Sequence, residues 1–444
     1  MAYYNYEKPK ITMNIAILGF DIEGKASYDY FSRSGEHRIT ICDQNPDAET
    51  PSGVEAILGE SYLDNLDRFD LLVRTAGLPP AKILSKNPSV AGKITTQVNE
   101  FFKASPTSNI IGVTGTKGKG TTSTLIYRML MANGSDVYLG GNIGVPVLPL
   151  LDTLKTDSWV VIELSSFQLI DLQASPHIAV CLMVVPEHLN WHANMEEYIA
   201  AKSQLFAKQT PQDIAIYCAN NDFSKQIAGS GQAQTVPYYD SPGAIVQNDS
   251  IVIDNQTICA LSEIKLLGEH NWQNVCAAVT TVWQVSQNVE AIKSVITSFS
   301  GLEHRLEFVR EFNGVKYYDD SFGTTPETAI VAMKAFSEPK VIILGGSDKG
   351  ANYDELAKSV SENKVRKVLL IGDEASKIQN ALEVVGFNNF IPGGTDMKDI
   401  VDTARSSSEP GDIILLSTAC ASFGLFKDYK DRGNQFKQAV QELA

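Results

Sequence analysis

The sequence lacks a long apolar run. The longest, IAVCLMVVP at 178–186, is well short of the roughly 20 residues that a membrane-spanning helix needs. The opening residues, MAYYNYEKPKITMN, contain no apolar stretch of the kind found in a secretory signal peptide. The six cysteines form no C-x-x-C pair, which argues against a zinc site or a disulfide framework. We therefore expect a cytoplasmic protein with free thiols and no membrane partner.

Positive charge is also scarce. The chain has 37 lysine and arginine residues against 52 aspartate and glutamate residues, a net charge of −15. This balance argues against a broad nucleic-acid surface, so we expect no nucleic-acid partner. With 444 residues, of which 43% are hydrophobic, the chain has material for about two to four globular domains.

The glycine fingerprint of a nicotinamide-binding domain is missing. The first apolar run is followed by GFDIEG at 19–24, which does not fit the G-x-G-x-x-G pattern. This difference argues against a dehydrogenase. Asp43 nevertheless ends the next apolar run, 24 residues after Gly19, where an acid could contact a ribose.

Short β-rich runs alternate with helical stretches in three segments, a pattern typical of α/β domains with parallel sheets. Strands are predicted at 14–20, 38–43, 69–75, 109–113, 158–164, 177–185, 340–346, 367–372 and 412–417. The polar stretch KASPTSN at 103–109 is typical of a linker. Residues 211–265 are rich in polar and turn residues, which predicts an excursion from the sheet.

One loop has the composition of a phosphate-binding loop but an unusual spacing. In GVTGTKGKGTTS (112–123), Lys117 stands where the P-loop pattern G-x-x-x-x-G-K-[ST] has its second glycine. The Gly-Lys pair follows one residue later, and Gly120 separates Lys119 from Thr121. The loop joins an apolar run to an amphipathic helix, whose N-terminal N–H groups and dipole attract phosphate. We therefore predict a phosphate site in preference to an ordinary turn.

Two further predicted strands end in polar side chains. The stretch WVVIELSSFQL places Glu163 at one strand end, and VVPEHLNWH places Glu187 and His188 at another. Since ligands of open α/β sheets bind beyond the carboxyl ends of the strands, we expect these groups and the phosphate loop at one edge. Mg²⁺ prefers carboxylate and hydroxyl oxygens, so Glu163 is a candidate ligand, although an acid there could equally cap the next element. His192 is interpreted as structural.

A helix is predicted at 194–206, in the stretch NMEEYIAAKSQLF. Asn194 suits the N-cap, with Glu197 at the third helical position. Lys202 lies on this helix, and the residue pattern alone predicts that it is a solvated lysine.

Several of these stretches resemble the Mur ligase family and its folylpolyglutamate synthetase relatives. The shifted Gly-Lys pair of GVTGTKGKGTTS is similar to the ATP loop of that family. The likeness extends over nearly the whole chain, through GGNIGVP (140–146), IELSSFQL (162–169), HN (270–271), EHRLEFV (303–309), DDS (319–321), GGSDKG (345–350) and TACASFGLFKDYKDRG (418–433). Together these motifs are similar to the branch of the family that adds D-glutamate.

The resemblance implies three α/β domains. They would be a Rossmann-like domain at 1–107 that binds a UDP-linked substrate, a central P-loop ATPase-type domain with a parallel sheet at 108–302, and a Rossmann-like C-terminal domain at 303–444. The C-terminal domain would close over ATP and bind the amino acid. A monomer is expected.

The resemblance also implies a role for individual residues. The ATP-binding residues would be Gly115, Thr116, Lys117, Gly118, Lys119, Gly120, Thr121, Thr122, Asn271, Arg305 and Asp320. Two Mg²⁺ ions would be held by Thr121, Glu163, His188 and Lys202, the last as a carbamate formed from CO₂. Catalysis would depend on Lys119, Glu163, His188 and Lys202. Substrate contacts would come from Phe20, Asp43, Asn142, Ser165, Thr324, Lys349, Ser422 and Phe423.

The implied reaction joins D-glutamate to UDP-N-acetylmuramoyl-L-alanine in peptidoglycan precursor synthesis, with ATP converted to ADP and phosphate through an acyl phosphate. Two positions differ from the family pattern: Gly120 directly follows the loop lysine, and Phe322 stands where D-glutamate ligases carry a lysine. The alternatives are a Mur-type ligase that adds L-glutamate or another amino acid, a folylpolyglutamate synthetase-like ligase, and a P-loop NTPase without an acceptor.

Overall fold

The chain divides into two units, each with its own core. The structure, a computed structural model, describes residues 13–142, 145–189, 191–266, 268–347 and 351–444. The first unit is Met1–Ile264 with Glu269–Ser298, and the second is Lys265–Gly268 with Phe299–Ala444.

A five-stranded parallel sheet forms the N-terminal part of the first unit. Its elements are β1 (Met13–Leu18), α1 (Ile22–Ser32), β2 (His37–Asp43), β3 (Glu55–Leu58), β4 (Leu71–Arg74), α2 (Pro80–Lys86), β5 (Ile94–Thr96) and α3 (Gln97–Ala104). The strand order β3-β2-β1-β4-β5 reverses direction between β1 and β4. Ligands of open α/β sheets bind at such a reversal, beyond the carboxyl ends of the strands. The strands predicted at 14–20, 38–43 and 69–75 are confirmed as β1, β2 and β4.

A six-stranded parallel sheet follows in the same unit. Its elements are β6 (Ile110–Thr114), α4 (Lys119–Ala132), β7 (Val137–Gly141), β8 (Trp159–Glu163), α5 (Ser166–Leu169), β9 (Ile178–Cys181), α6 (Met195–Ser203), β10 (Ile214–Cys218), α7 (Asp222–Ala228) and β11 (Gln234–Tyr238). The order β11-β10-β9-β6-β8-β7 places β6 between β8 and β9. Every residue of β6 and β9 is buried, as expected for strands covered on both faces, and their unbroken apolar runs explain why the sequence predicts them.

The excursion predicted within 211–265 is a separate antiparallel sheet. It contains β12 (Ile245–Gln247), β13 (Ser250–Ile253) and β14 (Gln256–Ala260). Two-residue turns, Asn248-Asp249 and Asp254-Asn255, connect the strands, and all four residues have positive φ angles. Such turns require positive φ at both positions, which Asn and Asp tolerate better than other side chains. The unit is completed by α8 (His270–Trp283) and α9 (Val289–Ser298).

The second unit is built around a six-stranded sheet. Its elements are β15 (Glu307–Phe312), β16 (Val315–Asp319), α10 (Pro326–Lys334), β17 (Lys340–Gly345), α11 (Asp354–Glu362), β18 (Val365–Ile371), α12 (Ala375–Val384), β19 (Phe390–Pro392), α13 (Met397–Ser406), β20 (Ile413–Leu416) and α14 (Tyr429–Gln441). The order is β15-β16-β20-β17-β18-β19, parallel except for β15. Along β17, Ile342 and Leu344 join one apolar cluster while Val341 and Ile343 join another, so the sheet has a core on each face.

The α/β fold class predicted from the sequence is confirmed. The domain boundaries at 107/108 and 302/303 stay predictions. All six cysteines are free and buried, as predicted. Within the described residues, no helix combines the length and the apolar character that crossing a membrane would require.

Candidate active site

The loop between β6 and α4 depends on two glycines. Gly115 and Gly118 have φ angles of +147° and +85°, a region that glycine adopts at little cost. A Cβ on Gly115 would lie 2.6 Å from the side chain of Leu182, and one on Gly118 would lie 2.2 Å from Oδ1 of Asn274. The chain can therefore adopt this turn only with glycine at both positions.

Lys119 is the first residue of α4 and folds back over the loop. Its Nζ donates hydrogen bonds to the carbonyl oxygens of Gly115, at 3.1 Å, and Thr116, at 3.0 Å. This places an ammonium group beside the N-terminus of α4, an arrangement suited to phosphate. Of the two hydroxyl residues that follow, Thr121 is partly exposed and Thr122 is buried, and Thr121 as a metal ligand stays a prediction.

Glu163 ends β8, which pairs with β6, so its carboxylate lies at the same sheet edge as the loop. The residue is only 5% exposed. Its Oε1 accepts a hydrogen bond of 2.7 Å from Nδ2 of Asn142, and its carbonyl accepts one of 2.8 Å from the backbone N–H of Asn142. The predicted metal ligand Glu163 and the predicted substrate contact Asn142 are thus brought together.

The chain beyond β9 supplies the third part of this edge. Lys117 of the loop forms an ion pair with Glu187, and Nε2 of His188 lies 3.7 Å from Oε2 of Glu187. His188 has a φ angle of +59°, and its imidazole is 43% exposed. Partial burial, aided by the charges of Lys119 and Lys202, lowers the pKa of His188, although Glu187 opposes this shift. A neutral imidazole keeps a lone pair for a metal ion or a proton.

Lys202 is buried beneath the loop, so the prediction of a solvated lysine is wrong. The residue is 1% exposed, and its Nζ donates to the carbonyl of Gly115 at 2.9 Å. The predicted cap of α6 is confirmed, because Asn194 Oδ1 accepts the N–H of Glu197 at 2.9 Å. Burial and the nearby charge of Lys119 lower the pKa of Lys202 to about 7. Its amine is therefore partly neutral near neutral pH.

Tyr198 is a member of this site that the sequence reasoning missed. Its ring lies under the Lys202 Nζ, 4.5 Å from the ring centre, and its hydroxyl is 3.0 Å from Oγ1 of Thr116. Burial raises the pKa of Tyr198 to about 12, so the hydroxyl stays protonated. Tyr198 precedes Lys202 by four residues on one helix, a spacing that puts both on the same face and could have identified it.

Ser165 and His192 flank the site in different roles. Ser165 caps α5, with its Oγ accepting the N–H of Gln168 and the Gln168 side chain accepting the N–H of Ser165. His192 is buried, with Nε2 2.9 Å from Oγ of Ser166, which supports its interpretation as a structural residue.

Near the start of α8, Asn274 contacts the loop between β6 and α4. Oδ1 of Asn271 accepts a hydrogen bond of 2.8 Å from Nδ2 of Asn274, and Asn274 packs against Gly118. The predicted adenine contact, Asn271, is thereby held near the loop. Asn274 was missed, although its spacing of three residues from Asn271 places both on one helix face.

A second concave region lies at the reversal point of the N-terminal sheet. It is a cavity of about 570 Å³ lined by Phe20, Asp43 and Thr75, among other residues. The Asp43 carboxylate accepts the N–H of Phe20 at 2.6 Å and the N–H of Asn45 at 2.7 Å. Phe20 and Asp43, both predicted substrate contacts, therefore lie together where a ligand of this sheet is expected.

The second unit holds Arg305 and Asp320 on adjacent loops. The Asp320 carboxylate accepts the N–H of Leu306 at 3.2 Å and the hydroxyl of Ser417 at 2.6 Å. Burial raises the pKa of Asp320 to about 7, while Ser417 and Arg305 oppose the shift. These contacts bring the two predicted residues together.

The remaining predicted contacts lie in the same unit. Thr324 is partly exposed, Ser422 is buried, and Phe423 is 61% exposed. Ser347 forms a β-bridge with Ala421, which brings the GGS turn beside Ser422. Lys349 lies outside the described residues.

The residues at the edge of the six-stranded sheet fit a nucleotide with Mg²⁺. Glu163 offers a buried carboxylate, Thr121 a hydroxyl, and the loop a glycine cradle with one lysine. Hard cations favour oxygen ligands of this kind. Lys202, with its lowered pKa, fits an oxygen ligand only if its amine is modified.

Comparisons with known proteins agree with this geometry. Residues 113–282 match the model of the Mur ligase middle domain, and residues 304–420 match that of the Mur ligase, glutamate ligase domain. The solved MurF ligase from Thermotoga maritima in complex with ADP has a similar fold, with a TM-score of 0.58 and 19% identity over 97% of this chain and 95% of that one.

Two curated relatives are similar over almost their full length. The chain is 35% identical to the UDP-N-acetylmuramoylalanine–D-glutamate ligase of Clostridium kluyveri, over 97% of this chain and 96% of that protein. It is 36% identical to the protein of the same name from Symbiobacterium thermophilum, over 98% and 99%. The chain therefore belongs to the Mur ligase family.

Proposed function

We propose that this chain joins D-glutamate to UDP-N-acetylmuramoyl-L-alanine by an amide bond, with ATP converted to ADP and phosphate. The observation that carries the proposal is the full-length identity of 35–36% to relatives with that name. Glu163, Lys119 and the buried Lys202 at one sheet edge support it. We expect a monomer that acts in the cytoplasm, where ATP and the nucleotide-linked precursor are available.

The proposed chemistry activates a carboxylate. A carboxylate oxygen of the alanyl residue attacks the γ-phosphorus of ATP, which forms an acyl phosphate and releases ADP. The amine of D-glutamate then attacks the acyl carbon, loses a proton and expels phosphate. Such transfers depend on positioning and on neutralising charge, so a lysine at a helix N-terminus is a fitting group.

Each part of the proposed site has a role. The ammonium of Lys119 would bind the terminal phosphates, with Asn271, Arg305 and Asp320 as further ATP contacts. The cavity beside Phe20 and Asp43 would take the uridine end of the precursor, in which the carboxylate of Asp43 can accept a ribose hydroxyl.

The remaining substrate contacts are assigned by similarity of motif. Asn142 and Ser165 would contact the precursor near Glu163. D-Glutamate would be held by hydrogen bonds from Thr324 and Ser422, by the charge of Lys349 and by the ring of Phe423. Because the acceptor carries two carboxylates, its hydrogen bonds with these residues are charge-assisted, and such bonds are stronger than those between neutral groups.

We infer that two Mg²⁺ ions bind at this edge of the sheet. Thr121, Glu163 and His188 would hold them, together with Lys202 if its neutral amine captures CO₂ to become a carbamate. Bound Mg²⁺ would neutralise phosphate charge during transfer. Because the pKa of Lys202 is lowered to about 7, its amine is available for this modification near neutral pH.

The test is phosphate release by the full chain with ATP, Mg²⁺ and UDP-N-acetylmuramoyl-L-alanine. The acceptor panel contains D-Glu, L-Glu, D-Asp, L-Ser and meso-diaminopimelate. We expect release to depend on the precursor and to be fastest with D-Glu. Preference for L-Glu would move the chain to a branch that adds L-glutamate, and release without any acceptor would support a simple NTPase instead.

A further inference from the structure

Phe322 is a large apolar side chain on the surface of the second unit, and the guanidinium of Arg305 packs against its ring. The residue is 41% exposed. The Cζ atom of Arg305 lies over the ring, 4.1 Å from its centre. A cation at this distance from a ring face is attracted by the negative face of the π system. Phe322 and Arg305 therefore form a cation–π pair.

The ring of Phe322 is itself fixed. Its edge-to-face contact with Tyr429 has a centroid distance of 5.1 Å and an interplanar angle of 85°. Its backbone N–H donates to the carbonyl of His304 at 2.9 Å, so the Phe322 loop is joined to the loop that carries Arg305. The position of the ring is therefore fixed before a ligand binds, because the backbone of Phe322 and the edge of its ring both have partners.

Arg305 is displayed by an unusual backbone. The residues on either side, His304 and Leu306, have φ angles of +61° and +45°, a left-handed conformation that non-glycine residues adopt at a cost. Two carboxylates hold this conformation: Asp319 Oδ2 lies 2.7 Å from His304 Nδ1, and Asp320 Oδ1 accepts the N–H of Leu306 at 3.2 Å. The backbone on both sides of Arg305 is thus fixed.

We propose that Phe322 is a positioning residue that aims the Arg305 guanidinium at the nucleotide phosphates of the reaction. A ring face attracts a cation and orients it without neutralising its charge. Because Phe322 already restricts the Arg305 side chain, Arg305 loses less conformational entropy when an anion binds. The inference rests on the proposed function, in which Arg305 is an ATP contact.

The test measures KM for ATP and kcat in the full chain with Phe322→Leu and Phe322→Trp. Leucine keeps the apolar bulk but removes the ring face, so KM for ATP should rise about 2- to 10-fold, the range expected for a partly exposed cation–π pair. The KM for the UDP-linked substrate should stay within about twofold. Phe322→Trp keeps a ring face and should stay close to the parent.

The matched control is Phe308→Leu. Phe308 is 48% exposed in the same unit and packs edge-on against Tyr318 at 5.4 Å, so its replacement tests the loss of an exposed ring that packs in the same way. This variant should leave KM for ATP unchanged. A melting curve of each variant shows whether it folds. If Phe322→Leu does not fold, Phe322→Met replaces it, because methionine also lacks a ring face, and the same rise in KM for ATP is expected.

A double mutant separates the inference from the proposed function. Arg305→Gln alone should raise KM for ATP, and Phe322→Leu should add nothing in that background, because the two residues act as one unit. If Arg305→Gln leaves KM unchanged, the proposed role of Arg305 is wrong. If Arg305→Gln raises KM but Phe322→Leu has no effect, or has an equal effect with and without Arg305, the positioning role is wrong.

Discussion

Burial changes the chemistry of Lys202. The Nζ of this residue lies on the carbonyl of Gly115, and burial with the charge of Lys119 lowers its pKa to about 7. An ordinary lysine is almost wholly an ammonium at pH 8, whereas Lys202 is largely a neutral amine there. Only the neutral form has a lone pair that can attack CO₂. The surroundings that lower the pKa therefore also prepare the residue for carbamate formation.

We predict that ¹³C-labelled bicarbonate labels Lys202 as a carbamate. The carbamate signal in ¹³C NMR of the full chain with Mg²⁺ and ATP should grow as the pH rises through about 7, because the neutral amine then becomes dominant. Lys202→Met should remove the signal and most of the activity. Acetate should restore part of the activity of Lys202→Ala by replacing the lost carboxylate.

Lys340 provides the control for this experiment. It is also buried with a pKa lowered by burial, but its Nζ donates to the carbonyl of Asn363 at 2.6 Å in the second unit. Lys340→Met should leave the signal in place. A carbamate signal that survives Lys202→Met and disappears in Lys340→Met would contradict the assignment.

We also predict that Lys202→Met raises the free energy of unfolding in CO₂-free buffer. The folded pKa of about 7 lies below the ordinary value of 10.5, so between these pH values the unfolded chain binds a proton that the folded chain does not. The stability of the parent therefore falls as the pH is lowered from about 10 to about 7, and the variant lacks this loss. Urea unfolding should show a larger gain for the variant at pH 7 than at pH 9. An equal gain at both pH values would count against the lowered pKa.

Among the elements, the part of the site that depends most on residues close together in the sequence is β6, its loop and α4. Two glycines with positive φ allow the turn, and the lysine that begins α4 lies over the carbonyls of Gly115 and Thr116. Its ammonium group therefore lies at the N-terminus of α4, where an anionic ligand is favoured.

We predict that Lys119→Ala lowers ATP-dependent phosphate release about 100-fold or more while the fold remains intact, since loss of one prepared charge at the reacting group typically has an effect of this size. Phosphate release and the melting temperature should be measured together. The control is Lys103→Ala, an exposed lysine paired with Glu100 on α3, which should keep normal activity. Normal turnover in folded Lys119→Ala would remove the loop from the mechanism.

The sequence predicts the elements better than the side-chain contacts. Strands such as β6 and β9 are continuous apolar runs, so their position follows from composition alone. The burial of Lys202 did not follow from the residue pattern, because a helical period defines faces without saying which one a loop will cover. Tyr198 and Asn274 were missed, although their spacing from Lys202 and Asn271 was visible. No local pattern could have paired Arg74 with Asp171, which are far apart in the chain.

At the scale of the first unit, buried polar contacts connect the two parallel sheets. Arg74 at the end of β4 is fully buried and binds both carboxylate oxygens of Asp171, at 2.6 and 2.5 Å. Its guanidinium also donates to the carbonyl of Phe167 at 2.9 Å. Beside it, Glu23 of α1 accepts a hydrogen bond of 2.7 Å from Gln168. The N-terminal sheet therefore holds α5, which follows the predicted metal ligand of β8, in a fixed position.

We predict that Asp171→Asn lowers the free energy of unfolding by about 3 kcal/mol, because it leaves the buried guanidinium of Arg74 without its charge partner. The double variant Arg74→Met with Asp171→Leu should recover most of this loss, since replacing both charges by apolar groups removes the buried charge itself. Urea unfolding of the parent and both variants measures the difference.

Arg33 and Asp152 form the matched control, because they connect the same two parts of the unit at the surface. Their side chains are 46% and 54% exposed, so Arg33→Met should cost less than about 1 kcal/mol. If Asp171→Asn costs no more than Arg33→Met, the buried pair does not join the sheets. If it costs more and also raises KM for the UDP-linked substrate, the pair both stabilises the unit and keeps the cavity beside Phe20 and Asp43 aligned with the edge that carries Glu163.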